Sequence, residues 1–270
     1  MNIAIEYFTV FGGLDIKLDT SKSIEELIEK HILKDYTYLR NVVSNITTGN
    51  PEYHMILTSL AMGDRRTNSA FKRSKFSFDK GIVLVDELCD LGILTLEKSL
   101  QEFVNLDEKY TVSEKLLFKI PFLRFWFAFI SPIFKGIKEK NYEEFYIRYK
   151  NRKVEFPNLV FEQLSHQFLK KDFKIDPIVK IGRYWDDDIE LDLIAKTESN
   201  KIIVGSCRYI NTKINKSELT KLKKLTDSLK IDVDIFLIFS KKGFSAELKA
   251  NTDEGLKLFS SRNFRVITEF

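Results

Sequence analysis

The stretch Ile181–Ile210, IGRYWDDDIELDLIAKTESNKIIVGSCRYI, decides the fold. Two apolar segments, Leu191–Ala195 and Ile202–Gly205, flank a polar turn over Lys196–Lys201, a spacing that predicts a β-hairpin. Asp192 is a lone carboxylate among Leu191, Leu193 and Ile194. The second segment runs into Ser206-Cys207-Arg208, where side chains alternate, so Ser206 and Arg208 share one face and Cys207 takes the other. A carboxylate on one strand opposite a short polar pair on the next is a layout used by metal-dependent phosphodiesterases. The run Asp186-Asp187-Asp188 just before the first strand has the composition of a solvated turn.

Outward from the hairpin, Phe156–Leu169 has the pattern of an amphipathic helix with Phe161, Leu164 and Phe168 inward. Its Glu162 and His166 are four residues apart and share a face. Downstream, Asn215 or Ser217 caps a helix running to Leu229, with Lys216, Lys221, Lys223 and Lys224 outside its leucine stripe. Asp234–Ser240 is nearly continuous in apolar residues, as in a strand covered on both faces. Gly243-Phe244-Ser245 leads into a further helix from Ala246, and Leu256–Phe259 and Phe264–Ile267 read as edge strands. The order is α-β-β-β-α-β around a mixed sheet, an α/β class.

The N-terminal half reads differently. Ile3–Val10 is expected to be a strand before a turn at Gly12-Gly13, and Ser23 with Glu26 forms a capping-box signal for a helix toward His31. Pro51–Met62 and Thr67–Arg73 are expected as helices, followed by a third with Ile82, Val83, Val85, Leu88 and Leu91 inward and Gly92 at its end. Ile93–Glu97 and Leu116–Ile120 could pair as strands. Pro121 opens an aromatic helix carrying Phe122, Phe125, Trp126, Phe129 and Ile130, a stripe that reads as core before it reads as a base-stacking platform. The domains expected are an extension over 1–45, a winged-helix-like domain over 46–120, an aromatic helical linker over 121–153 and the α/β domain over 154–270.

Composition narrows the function classes. With 270 residues, 44% hydrophobic and 30% charged, the chain is long enough for two cores and is not of disordered type. A net charge of +4 permits nucleic-acid binding without requiring it. Two isolated cysteines, Cys89 and Cys207, exclude a disulfide framework and fit a reducing cytoplasm. The apolar run Phe122–Phe134 is broken by Arg124 and Pro132, too short to span a bilayer, so no membrane partner is expected. No GxxxxGK phosphate-binding loop occurs, so neither nucleotide binding nor ATP hydrolysis is expected.

Several of these runs carry a resemblance. Gly182-Arg183-Tyr184-Trp185-Asp186, Glu190-Leu191-Asp192, Gly205-Ser206-Cys207-Arg208 and Pro121-Phe122-Leu123-Arg124-Phe125-Trp126-Phe127 resemble motifs in the C-terminal region of the archaeal-type ATPases. In that family a winged helix precedes a restriction-endonuclease-like PD-(D/E)xK domain, and the likeness covers roughly residues 50–270, without the ATPase module. The resemblance implies a catalytic set of Glu162, Asp192, Ser206 and Arg208, with Glu162 and Asp192 as ligands for Mg²⁺ or Mn²⁺. It departs from the family at two positions: Ser206 stands where the family has glutamate, and Arg208 where it has lysine. A hydroxyl brings no charge to a divalent ion, and a guanidinium cannot act as a base near neutral pH, although it can grip a phosphate. The resemblance therefore implies a DNA-binding protein whose nuclease site is degenerate. A weak metal-dependent deoxyribonuclease and a module that binds a protein partner or a second copy are the alternatives. Arg65, Arg66, Lys72, Arg73, Lys75 and Arg183 are the candidate nucleic-acid contacts.

Overall fold

The computed structural model describes residues 2–104, 112–250 and 255–268. They form a mixed α/β structure that divides into two compact units. One comprises Glu6–Lys98 and Ser113–Lys153; the other comprises Met1–Ile5, Ser99–Val112 and Val154–Phe270. We call them the helical unit and the sheet unit.

The chain begins with α1 (Asn2–Phe11), where the sequence reading expects a strand over Ile3–Val10. The segment is apolar almost all round and rich in β-branched and aromatic residues, so its sequence favours an extended reading that packing overrides. Ile5, Val10 and Phe11 are buried while Ile3 and Phe8 are exposed. Gly13 follows at φ +97°, and a Cβ there would run into Ile120, so this turn requires glycine. Ser23 and Glu26 form the expected capping box on α2 (Ile24–Ile28), which continues as a π-turn over Glu29–Leu33. Next come α3 (Tyr36–Ile46), α4 (Pro51–Met62), α5 (Thr67–Ser74) and α6 (Phe78–Asp90).

Helices α4, α5 and α6 pack on one another. The inward residues of α6 are Gly81, Leu84, Val85 and Leu88, and Val83 and Leu91 are exposed, contrary to the sequence reading. The apolar run Ile82–Val85 offers two registers; the close seat of Gly81 on the Phe71 ring, where a Cβ would clash, goes with the observed one. Strands β1 (Leu94–Glu97) and β2 (Lys115–Phe118) pair antiparallel. The aromatic segment is α7 (Pro121–Phe125), a π-turn over Trp126–Ile130 and a 3-10 turn over Ser131–Ile133. Phe122, Phe125, Trp126, Phe129 and Ile130 are all buried, so the stripe is core. Two more helices, α8 (Phe134–Lys138) and α9 (Glu143–Arg152), complete the helical unit.

The sheet unit holds α10 (Asn158–Asp172), β3 (Ile178–Trp185), β4 (Glu190–Thr197), β5 (Ile202–Arg208), α11 (Lys216–Ser228), β6 (Ile235–Ser240), α12 (Ala246–Lys249) and β7 (Leu256–Ser260). The five strands lie in chain order: β3, β4 and β5 run antiparallel, and β5, β6 and β7 run parallel. The hairpin pairs Leu193 with Gly205 and Ile194 with Val204. On one face of the sheet Leu193, Ile203, Cys207 and Phe239 pack against Phe161 and Phe168 of α10. Ile194 and Val204 pack on the other with Leu222 of α11. The expected edge strand at Phe264–Ile267 is instead a 3-10 turn over Ser261–Phe264 leading into α13 (Arg265–Thr268). Ser260 and Asn263 form a capping box there, a start signal hidden under an apolar reading.

Candidate functional site in the sheet unit

Alternation along β5 places Ser206 and Arg208 on the face that α11 covers, with Cys207 in the α10 core, as the hairpin pattern requires. The Arg208 guanidinium is the hub. Its Nη1 donates to Asp192 Oδ2 at 2.9 Å, its Nε to Glu218 Oε1 at 2.9 Å, and its Nη2 lies 2.7 Å from the same Glu218 oxygen. Ser206 Oγ donates to that oxygen as well, at 2.6 Å. The Cys207 amide donates to Asp192 Oδ2 at 2.8 Å, so Asp192 is held by the strand beside it.

Glu218 sits in the first turn of α11, where Asn215 caps the helix by accepting from the Ser217 amide. Burial works to raise its carboxyl pKa, but the Ser206 hydrogen bond and Arg208 outweigh that and leave it lowered. For Asp192 burial dominates and raises the carboxyl pKa, against the pull of Arg208 and the Cys207 amide. Burial, with the nearby Asp192 and Glu162 charges acting in the same direction, pushes the Cys207 thiol well above its usual range, so it is an inert core thiol.

Glu162 and Arg183 form a separate pair on the α10 side. The Arg183 side chain is 1% exposed and its Nη2 donates to Glu162 Oε2. Glu162 Oε1 accepts from Asn158 Nδ2 at 2.6 Å, and Asn158 Oδ1 accepts from the Tyr209 amide, tying the pair to the end of β5. His166 Nε2 lies 2.9 Å from the Asp192 carbonyl, a contact it makes as a donor. The aspartate run is a turn: Asp186 Oδ1 accepts from the amides of Asp188 and Ile189, and its Oδ2 from the Tyr184 hydroxyl.

The structure thus joins Asp192, Ser206 and Arg208 into one cluster through Glu218 and gives Glu162 a different cation. Divalent binding needs several hard oxygens turned to one point. Here the Asp192, Glu218 and Glu162 oxygens face guanidinium N–H groups, and among the described residues no group of three or more His, Cys, Asp or Glu side chains could hold a metal ion. The residues do not fit Mg²⁺ or Mn²⁺. Glu218 escapes a sequence reading because its partner lies ten residues back on a strand; the one signal is an acidic first turn on an otherwise lysine-rich helix.

The remaining candidate contacts lie in the helical unit. Arg65 Nη1 donates to Glu97 on β1, with both side chains largely buried, and the Arg65 carbonyl accepts from the Leu116 amide of β2. Arg65 therefore braces the strand pair. Arg66 forms a β-bridge with Lys115. Arg73 lies 3.7 Å from Asp64. Lys72 and Lys75, at the exposed end of α5, have no ion-pair partner among the described residues.

Residues 126–222, about a third of the chain, match the profile of a family described as archaeal and bacterial proteins of unknown function. The match includes Glu162, Arg183, Asp192, Ser206, Arg208 and Glu218. No curated protein and no solved structure matches the chain. No helix among the described residues is long and apolar enough to cross a membrane.

Proposed function

We propose that the chain is a DNA-binding protein whose sheet unit is a restriction-endonuclease-like domain with its former catalytic site closed by internal ion pairs. The observation that carries this reading is Arg208, held at once by Asp192 and Glu218 with Ser206 on the same carboxylate. A guanidinium so held does not deprotonate near neutral pH, and Asp192 is occupied by it. The site therefore serves to fix α11 against β5, and DNA is held elsewhere. On this reading α4, α5, α6, β1 and β2 are a winged helix, and Lys72 and Lys75 contact phosphates.

One observation favours the protein-binding alternative. The outward side of α6 exposes Asp79, Asp86 and Asp90 beside Phe78 and Val83, which suits a basic polypeptide better than a phosphate backbone. Salt separates the two, because phosphate contacts give a steep linear fall of log affinity with log salt.

The test is anisotropy of labelled duplex and single-stranded DNA across a salt series, beside plasmid nicking with Mg²⁺ or Mn²⁺ and an Asp192→Ala control. Salt-sensitive binding without nicking is the expected result. Metal-dependent nicking lost in the control would overturn the closed site, and absence of binding would overturn the DNA reading. Nicking gained by a Ser206→Glu, Arg208→Lys double variant would tie the closure to those two positions.

A further inference from the structure

The helical unit contains a cavity of about 360 Å³. It lies between the end of the π-turn, the start of α3 and the end of α8, and three of its eight lining residues are Lys34, Lys138 and Lys140. None of the eight is acidic.

The charges at the mouth are unequal. Lys34 Nζ lies 2.9 Å from Glu29 Oε1, and Glu29 also accepts from the Tyr146 hydroxyl, so this lysine is compensated. Lys138 and Lys140 have no ion-pair partner among the described residues, and both are exposed. Each stands at the end of α8, where a lysine also complements the helix dipole, but α8 has only five residues and the dipole is correspondingly short. The neighbouring acids Asp35 and Glu139 are exposed and do not line the cavity. Two uncompensated lysines lining one concave site favour an anion of charge near minus two, which is what a phosphomonoester carries near neutral pH.

Leu33, Ile137 and the Tyr36 ring are buried and apolar, and Tyr36 is itself fixed by stacking on Trp126, with centroids 5.7 Å apart and planes 5° apart. They close the cavity with an apolar floor, Leu33, Tyr36 and Ile137 being only 1%, 6% and 2% exposed. Thr37 at the start of α3 adds a hydroxyl-bearing side chain to the lining, while the Tyr142 hydroxyl donates to the Leu33 carbonyl at 3.5 Å. The volume lies at the small end of the range of about 300–1,000 Å³ typical of ligand sites.

We propose that this cavity is a binding site for a small phosphomonoester, with Lys138 and Lys140 gripping the phosphate above the apolar floor of Leu33, Tyr36 and Ile137. The proposal is independent of the DNA reading, since it involves neither α5 nor the sheet unit.

The test uses the full chain and the fluorescent probe naphthyl phosphate, with naphthol and inorganic phosphate as controls and vesicles containing phosphatidic acid as a separate arm. The comparison protein is a Lys138→Glu, Lys140→Asn double variant. Both positions are exposed, and asparagine tolerates the left-handed backbone of Lys140, at φ +60°. Unchanged circular dichroism would verify that the variant folds. Saturable binding of naphthyl phosphate, weaker by about tenfold or more for naphthol and in the variant, is expected, and added salt should weaken it further. Equal affinity for naphthol, unchanged binding by the variant, or no saturable binding would overturn the proposal. Capture by the vesicles without binding of the free probe would overturn it too, in favour of a lipid headgroup.

Discussion

Arg208 and Lys72 carry the same charge but face opposite surroundings. In the sheet unit Arg183 and Arg208 each point at carboxylates and are largely buried, while in the helical unit Lys72 and Lys75 project from the end of α5 with no ion-pair partner among the described residues. Arg65 lies between these extremes, set against Glu97 with both side chains mostly covered. A cation committed to a carboxylate inside the fold contributes to geometry, whereas one projecting into water remains available to an external anion. Residue type does not separate the two cases. The position of the partner does, and these partners lie far off in sequence: Glu162 is 21 residues from Arg183, and Glu97 is 32 from Arg65.

The deepest pair should give the largest effect when broken. Arg183→Leu leaves Glu162 buried without its guanidinium, and the expected loss is about 3–5 kcal/mol in urea unfolding. Replacing Glu162 by leucine in the same chain should recover a good part of that loss, because a buried pair and an apolar pair of similar volume are often nearly equivalent. A double variant as unstable as Arg183→Leu alone would mean that Arg183 acts through its other contacts and that Glu162 is incidental.

Arg208 is more exposed, at 28% of its side chain, so its removal should cost less. Arg208→Ala is expected to lose about 2 kcal/mol, since it strands Asp192 and Glu218 on one surface. The same variant should leave DNA affinity unchanged if the arginine is committed internally. A drop in affinity with its salt dependence reduced would show that Arg208 reaches phosphate, and would erase the contrast with Lys72.

Glu218 allows the same cluster to be tested by pH. Its carboxyl pKa is lowered from the ordinary value of 4.5, so its ionised form is stabilised by folding, and that contribution is present above 4.5 and lost as pH falls through the folded value. The difference in stability between the wild type and Glu218→Gln is therefore expected at about 1–2 kcal/mol near neutral pH and should shrink in acid. Asp192, whose pKa burial raises, shifts in the opposite sense, but it is common to both proteins and largely cancels in the comparison. A difference that is flat with pH would place the effect in packing.

Much of this architecture is legible in the residues themselves. The hairpin, its polar turn, the cap at Asn215 and the buried β6 follow from local patterning, because each depends on neighbours within a few positions. Two segments misled for opposite reasons. Ile3–Val10 has the β-branched and aromatic composition of a strand and is helical because packing overrides a weak local preference, while Phe264–Ile267 is apolar enough for a strand but follows a capping box at Ser260. In the candidate site, Asp192, Ser206 and Arg208 come together as the strand register demands, yet Glu218 was invisible. Its role depends on how α11 returns over β5, which no spacing in the hairpin encodes.

The smallest effect concerns the cations without internal partners. Lys72→Ala should change stability by no more than about 0.5 kcal/mol, as expected for an exposed position off the core. Lys75 is the left-handed cap of α5, at φ +57°, so Lys75→Gly removes the charge and also relieves backbone strain, and a slight gain of up to about 1 kcal/mol is expected. Neither change should alter the fold, which makes the pair a clean probe of DNA binding. If both lysines contact phosphate, the double variant should weaken binding to all sequences alike and lower the salt slope by about 2. An unchanged slope would place the DNA contact away from α5 and leave the acidic, apolar side of α6 as the better guide to what the helical unit binds.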